Sequence, residues 1–148
     1  MSTKWHLNSK NEIKPCKAKD NNCPFGKQFV SNNEILSILH NLPKTDSIYV
    51  NNGIIFIWNN EKYLTNINKH KITFEEASTV LDNPNSTPRY DEINSTQTEI
   101  RYKTIGFSSR LNILLVCNCV HEHTNIYRIY SAREAEKHEV DLYRKNKW

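Results

Sequence analysis

Glycine is scarce in this chain, three residues in 148, and none of them stands in a Gly-rich phosphate loop, so nucleotide-binding folds built on such loops are not expected. Long apolar runs are also missing: no stretch approaches the ~18 consecutive apolar residues that cross a bilayer. The polar start MSTKWHLNSK lacks the apolar centre of a signal peptide, and the expectation is a cytoplasmic protein without a membrane partner. Cysteines number four, and in a reducing compartment free thiols or a metal site are expected before disulfides. A strong charge of one sign is absent as well. Twenty Lys and Arg oppose 16 Asp and Glu, a formal net charge of +4, which permits contact with nucleic acid without requiring it. Seven Lys and four acids fall in residues 1–57, which leaves 13 basic and 12 acidic residues in 58–148, so the larger part of the chain is close to neutral.

The mean hydropathy of -0.72 is low, yet the apolar residues gather in short runs, the pattern of a folding chain. Residues 1–30 carry Pro15, Pro24 and Gly26 without a sustained period and are expected to form a loop-rich module. Ser31 with Glu34 makes a capping box, and Ile35, Leu36, Ile38, Leu39 and Leu42 give a helix face that Pro43 stops. Ser47–Val50 and Ile54–Trp58, joined by Asn51-Asn52-Gly53, predict a hairpin. Asn59 or Asn60 caps a short helix leading to Lys69 and His70, and Thr73 with Glu76 opens a helix that ends at Asp82-Asn83-Pro84. A long loop is expected over 83–98, then a meander of Ile100–Phe107, Ile113–Val120 and Ile126–Tyr130. Ser131 with Glu134 predicts a last helix running to about Asn146. The expected fold is α+β, helices packed on an antiparallel sheet over 44–148, preceded by a small N-terminal module with one helix over 1–43.

Several short motifs in series carry a resemblance. Trp58-Asn59, Asn66, Lys69-His70, Ile72–Ala77 and Asp82-Asn83-Pro84 are followed by Arg101–Ser108, the apolar Leu114–Val116 and Arg128–Ala135. In this order and spacing, over about residues 57–146, the chain resembles the BrnT family of type II toxin–antitoxin ribonuclease toxins. The resemblance implies a RelE-like fold and a metal-independent endoribonuclease that acts on RNA and is held by an antitoxin of BrnA type. It implies no nucleotide cofactor. Lys71 stands where family members commonly have Gly, and the acids Glu134, Glu136, Glu139 and Asp141 offset a last helix that is often basic.

Metal-free RNA cleavage uses the substrate's own 2′-hydroxyl as nucleophile, so the protein must supply a base, a stabiliser of charge on phosphorus and an acid for the leaving oxygen. Arginine suits the second role because its planar fork meets phosphate oxygens bidentately, which makes Arg101, Arg128 and Arg133 the candidate phosphate cradle. Arg133 is expected in the first turn of the last helix. His70, with an ordinary pKa near neutrality, is the candidate acid or base. Lys69 beside it is a candidate phosphate contact, and Tyr143 a candidate for base stacking or proton transfer. Arginines in alternating strands are commonly solvated outer-face residues, and Tyr143 also suits a packed helix face.

The N-terminal His6, Cys16, Cys23 and Pro24-Phe25-Gly26 resemble a short segment of phage and mobile-element proteins. His6, Cys16 and Cys23 are a weak candidate zinc set, with only three ligands and no close Cys pair. Cys117 and Cys119 share one strand face and are expected as packing residues. A second functional class stays open at this point, a non-catalytic interaction protein that uses the same scaffold to bind an antitoxin or host protein.

Overall fold

The computed structural model describes residues 37–121 and 124–148, together with the backbone of two three-residue strands, β1 (Trp5–Leu7) and β2 (Ile13–Pro15), which pair antiparallel. The expected zinc set, with Cys16, Cys23 and the His6 side chain, lies outside the described residues, as does the Ser31–Glu34 box. Among the described residues no three His, Cys, Asp or Glu side chains are grouped to hold a metal, and no helix is long and apolar enough to cross a membrane.

The main sheet has six strands: β3 (Asp46–Asn51), β4 (Ile54–Asn59), β5 (Thr87–Tyr90), β6 (Arg101–Phe107), β7 (Ile113–Val120) and β8 (Ile126–Glu134). Besides the helical residues 37–40, three helices among the described residues accompany it: α1 (Asn60–His70), α2 (Phe74–Asp82) and α3 (Lys137–Arg144). The β3–β4 hairpin turns at Asn52 (φ 50°) and Gly53 (φ 78°), the paired left-handed residues that tight hairpins need. The sheet order is β3-β4-β8-β7-β6-β5, so the expected meander forms. The sheet is mixed, however, because β4 and β8 run parallel, with Ile55 opposite Ile126 and Ile57 opposite Arg128.

Two expected element boundaries are corrected. The long loop after α2 contains strand β5, laid antiparallel on β6, with Thr87 opposite Ile105. The last helix begins at Lys137, since Ser131–Glu134 continue β8 and pair with β7. The capping box at this helix is Glu136 with Glu139, and Arg133 is a strand residue. At α2, Thr73 accepts from the Glu76 N–H at 3.1 Å, but the Glu76 side chain does not reciprocate. Its buried carboxylate accepts from Ser108 Oγ at 2.8 Å and Asn112 Nδ2 at 3.0 Å, tying α2 to the β6–β7 turn.

The core lies between one sheet face and helices α1 and α2. Phe56 and Trp58 of β4, Leu114 and Val116 of β7, and Ile129 and Ala132 of β8 pack with Ile72 and with Phe74, Ala77 and Val80 of α2. Trp58 stacks on Tyr63 of α1 at 5.6 Å and meets Phe74 edge-on at 5.6 Å, which locks α1, α2 and β4 together. Contacts of this kind contribute roughly 0.5–1.5 kcal/mol each beyond area burial.

Asn66 sets where α1 lies. It is 5% exposed, its amide donates to the Ala132 carbonyl (2.8 Å) and the Ile72 carbonyl (3.0 Å), and its Oδ1 accepts from the Ala132 N–H at 3.0 Å. β4 pairs with β8 only over Ile126–Arg128, so further along β8 this one side chain takes the place of a neighbouring strand. A bulge completes the arrangement. Asn118 faces Ile129 and Cys117 faces Ser131, which leaves Tyr130 as the extra residue in β8.

Candidate functional site

That bulge decides which side chains meet. In a regular strand residues five apart point to opposite faces, so Arg128 and Arg133 would be separated by the sheet. The extra residue resets the alternation: Ile129 and Ala132, three apart, both enter the core, and Arg128, Tyr130 and Ser131 turn to the same side. There they form one wall of an open groove of about 810 Å³, whose other wall is α1 with Lys62, Thr65, Asn66, Lys69 and His70.

Arg101 joins from β6. It is opposite Cys119, and Cys119 is opposite Arg128, so the two arginines lie in one cross-strand row with a single strand between them, about 10 Å at the backbone. Two cations approach Tyr130. The Arg101 guanidinium lies 3.8 Å over the Tyr130 ring and the Lys62 ammonium is 5.3 Å from the same ring centre. Burial, with hydrogen bonding to Cys119 and Glu99, pushes the Tyr130 hydroxyl far above its ordinary range, so it stays protonated. Its oxygen is 3.5 Å from Cys119 Sγ. Burial likewise raises the Cys119 thiol, which stays neutral and only 4% exposed.

Each arginine carries a carboxylate. Arg101 Nε donates to Glu99 at 2.7 Å, Arg128 Nη2 to Asp46 at 2.8 Å, and Arg133 holds Glu139 with two parallel bonds of 2.8 Å. The Arg133 pair uses both Nη atoms and ties β8 to the start of α3. At Arg101 and Arg128 only one nitrogen is engaged by these carboxylates, so each fork is oriented while part of it stays available.

Lys69 and His70 lie at the opposite end of α1 from Lys62. Burial first, then the charges of Lys69 and Arg133, lower the His70 pKa, so the ring is neutral at physiological pH. Tyr143 stands apart from this groove. Its hydroxyl donates to the Asn85 carbonyl at 3.1 Å and its ring meets Phe107 edge-on, fastening α3 to the loop before β5.

Of the expected residues, Arg128, Lys69 and His70 therefore line one groove, Arg101 reaches its edge by stacking on the Tyr130 ring, and Arg133 is near enough for its charge to reach His70. Lys62, Tyr130 and Glu99 were not singled out in the sequence. Their part depends on cross-strand register and the bulge; the one local signal is that apolar Ile129 and Ala132 are three apart in a segment whose period should be two.

Among solved structures, the chain is similar to the crystal structure of the Brucella abortus ribonuclease toxin BrnT, at 21% identity over 54% of this chain and 94% of that one, with a TM-score of 0.37. No curated protein matches. The sequence model described as the ribonuclease toxin BrnT of type II toxin–antitoxin systems matches residues 58–139, over half the chain and both walls of the groove, and the chain thus belongs to the BrnT family.

Proposed function

We propose that this protein is the toxin of a type II toxin–antitoxin pair and cuts RNA in the groove between α1 and β8 without a metal ion. The observation that carries this reading is the cross-strand row in which Arg101 stands opposite Cys119 and Cys119 opposite Arg128, which puts both arginines on one side of the sheet, with Arg128 across the groove from the cations of α1. Arg101 and Arg128 would stabilise the charge that builds on phosphorus as the 2′-hydroxyl attacks, a contribution of about 100-fold or more per well-placed donor. Lys69 and the neutral His70 form a second contact point along the strand, suited to a neighbouring phosphate and to a hydroxyl or base edge. Arg133 acts as a positioning residue through Glu139, and Tyr143 by holding the loop at Asn85. An antitoxin of BrnA type would silence the protein by covering the same groove, and residues 1–43 would form an appended module.

The test is cleavage of single-stranded RNA by the full chain in the presence of excess EDTA. Cutting that survives the chelator and falls about 100-fold or more in Arg101→Ala and Arg128→Ala, with melting little changed, supports the reading. Cutting abolished by EDTA would refute metal independence; a folded wild type that neither cuts RNA nor arrests growth refutes the function.

A further inference from the structure

Glu99 is the carboxylate against Arg101, more open to solvent than the buried Asp46 against Arg128, and the loop before β6 holds it there. The Asp91 N–H donates to the Arg101 carbonyl at 2.9 Å, Asn94 Nδ2 donates to the Asp91 carboxylate at 2.8 Å, and Ser95 Oγ accepts from the Arg101 N–H at 2.9 Å. Within that frame Thr96 and Glu99 are joined twice: the Thr96 N–H donates to the Glu99 carbonyl at 2.9 Å, and the Glu99 N–H to Thr96 Oγ1 at 3.1 Å.

We propose that Glu99 is the general base of the RNA cleavage, taking the proton of the attacking 2′-hydroxyl beside a phosphate held by Arg101 and Arg128. This rests on the reading of the groove given above. The reacting phosphodiester must sit where charge can be stabilised, and that is the Arg101–Arg128 row. Lys62 marks this end of the groove by its approach to Tyr130, and His70 lies eight residues further along α1, about 12 Å away, beyond the reach of a 2′-hydroxyl on the same phosphodiester. Glu99 stands beside the row, with one oxygen 2.7 Å from Arg101 Nε, and lines a second cavity that adjoins the groove where Tyr130 meets Cys119. A carboxylate has about four acceptor positions, so Arg101 and the Tyr130 hydroxyl leave it able to accept another proton donor.

The groups that face Glu99 are Arg101 on its own segment, Tyr130 and Arg128 from β8, and Cys119 from β7. Burial alone would raise its pKa, but hydrogen bonds from Tyr130 and Arg101 and the charges of Arg101 and Arg128 outweigh that, so it is ionised at neutral pH. In the reaction the 2′-O–H bond breaks with its proton going to Glu99, the 2′-O–P bond forms, and the P–O5′ bond breaks. The leaving 5′-oxygen takes a proton from solvent, and the products are a 2′,3′-cyclic phosphate and a 5′-hydroxyl. Glu99 then returns its proton to water.

Cleavage of a short single-stranded RNA by full-length wild type, Glu99→Gln and Glu99→Asp, followed across pH, tests the assignment. The expected result is a loss in kcat of about 100-fold or more for E99Q with KM within about threefold, and disappearance of the fall in rate on the acid side. E99D, which keeps the carboxylate, retains part of the activity, and thermal melting of all three shows that the fold persists. An E99Q rate within about fivefold of wild type, or above it as expected if Glu99 merely neutralises Arg101, overturns the assignment while an active wild type leaves the groove intact. A wild type that cuts no RNA overturns both.

Discussion

Lys71 ends α1 in the left-handed region at φ 60°, its N–H donating to the Ile67 carbonyl at 2.9 Å. A residue with a Cβ is strained there by about 1–2 kcal/mol, and this is where the family resemblance leads one to expect glycine. Lys71→Gly should therefore raise stability by about 0.5–1 kcal/mol in urea titration, an unusual direction for a helix-end substitution. Its neighbour His70 should titrate in NMR with a midpoint below the ordinary histidine value, moving upward in Lys69→Gln as one of the charges that depress it is removed. The sign for stability follows: the unfolded chain takes up this proton first, so His70 weakens the fold as pH falls from the ordinary histidine range to its folded value and has no such effect above. A midpoint at or above the ordinary value would contradict the placement of Lys69 and Arg133 around it.

Two anchors hold α1 and α3 to β8. Asn66 satisfies both backbone groups of Ala132 and the Ile72 carbonyl, so Asn66→Ala should cost about 2–4 kcal/mol by chemical denaturation, several buried groups being left without partners. The Arg133–Glu139 pair fastens α3. Burial alone would raise the Glu139 pKa, but the Arg133 bonds and the Glu136 N–H hold it below the ordinary carboxylate range. Its stabilisation is thus present above that range and lost as pH falls through the folded value, and Arg133→Gln should flatten this acid dependence. The hairpin, α1, α2 and the meander were legible in the sequence because caps, Asn-Gly and apolar periods all act locally. β5 was not, since Thr87-Pro88-Arg89-Tyr90 is an edge strand largely outside the core and carries a proline. Ser131 and Glu134 matched a capping pattern, but pairing with β7 overrode it. The parallel β4–β8 contact left no local mark and the Tyr130 bulge only the three-residue spacing of Ile129 and Ala132, so the juxtaposition of Tyr130, Lys62 and Glu99 stayed hidden.

For the molecule as a whole, a nearly neutral domain confines its affinity for RNA to a few local cations. If Lys62, Lys69, Arg101 and Arg128 engage about three phosphates, the logarithm of the binding constant should fall with the logarithm of salt with a slope of about -2. A slope near zero would exclude backbone recognition in the groove, and one far steeper would place binding elsewhere, in the more basic residues 1–57. The parallel pairing of Ile55 with Ile126 has a further consequence, for the order of events during synthesis. A ribosome completes β3, β4, α1 and α2 long before β8 emerges, and one wall of the groove is missing until then. On the proposed reading of the groove, the nascent chain could not cut RNA until the last strand zips in between β4 and β7, and an antitoxin would be needed only from that moment.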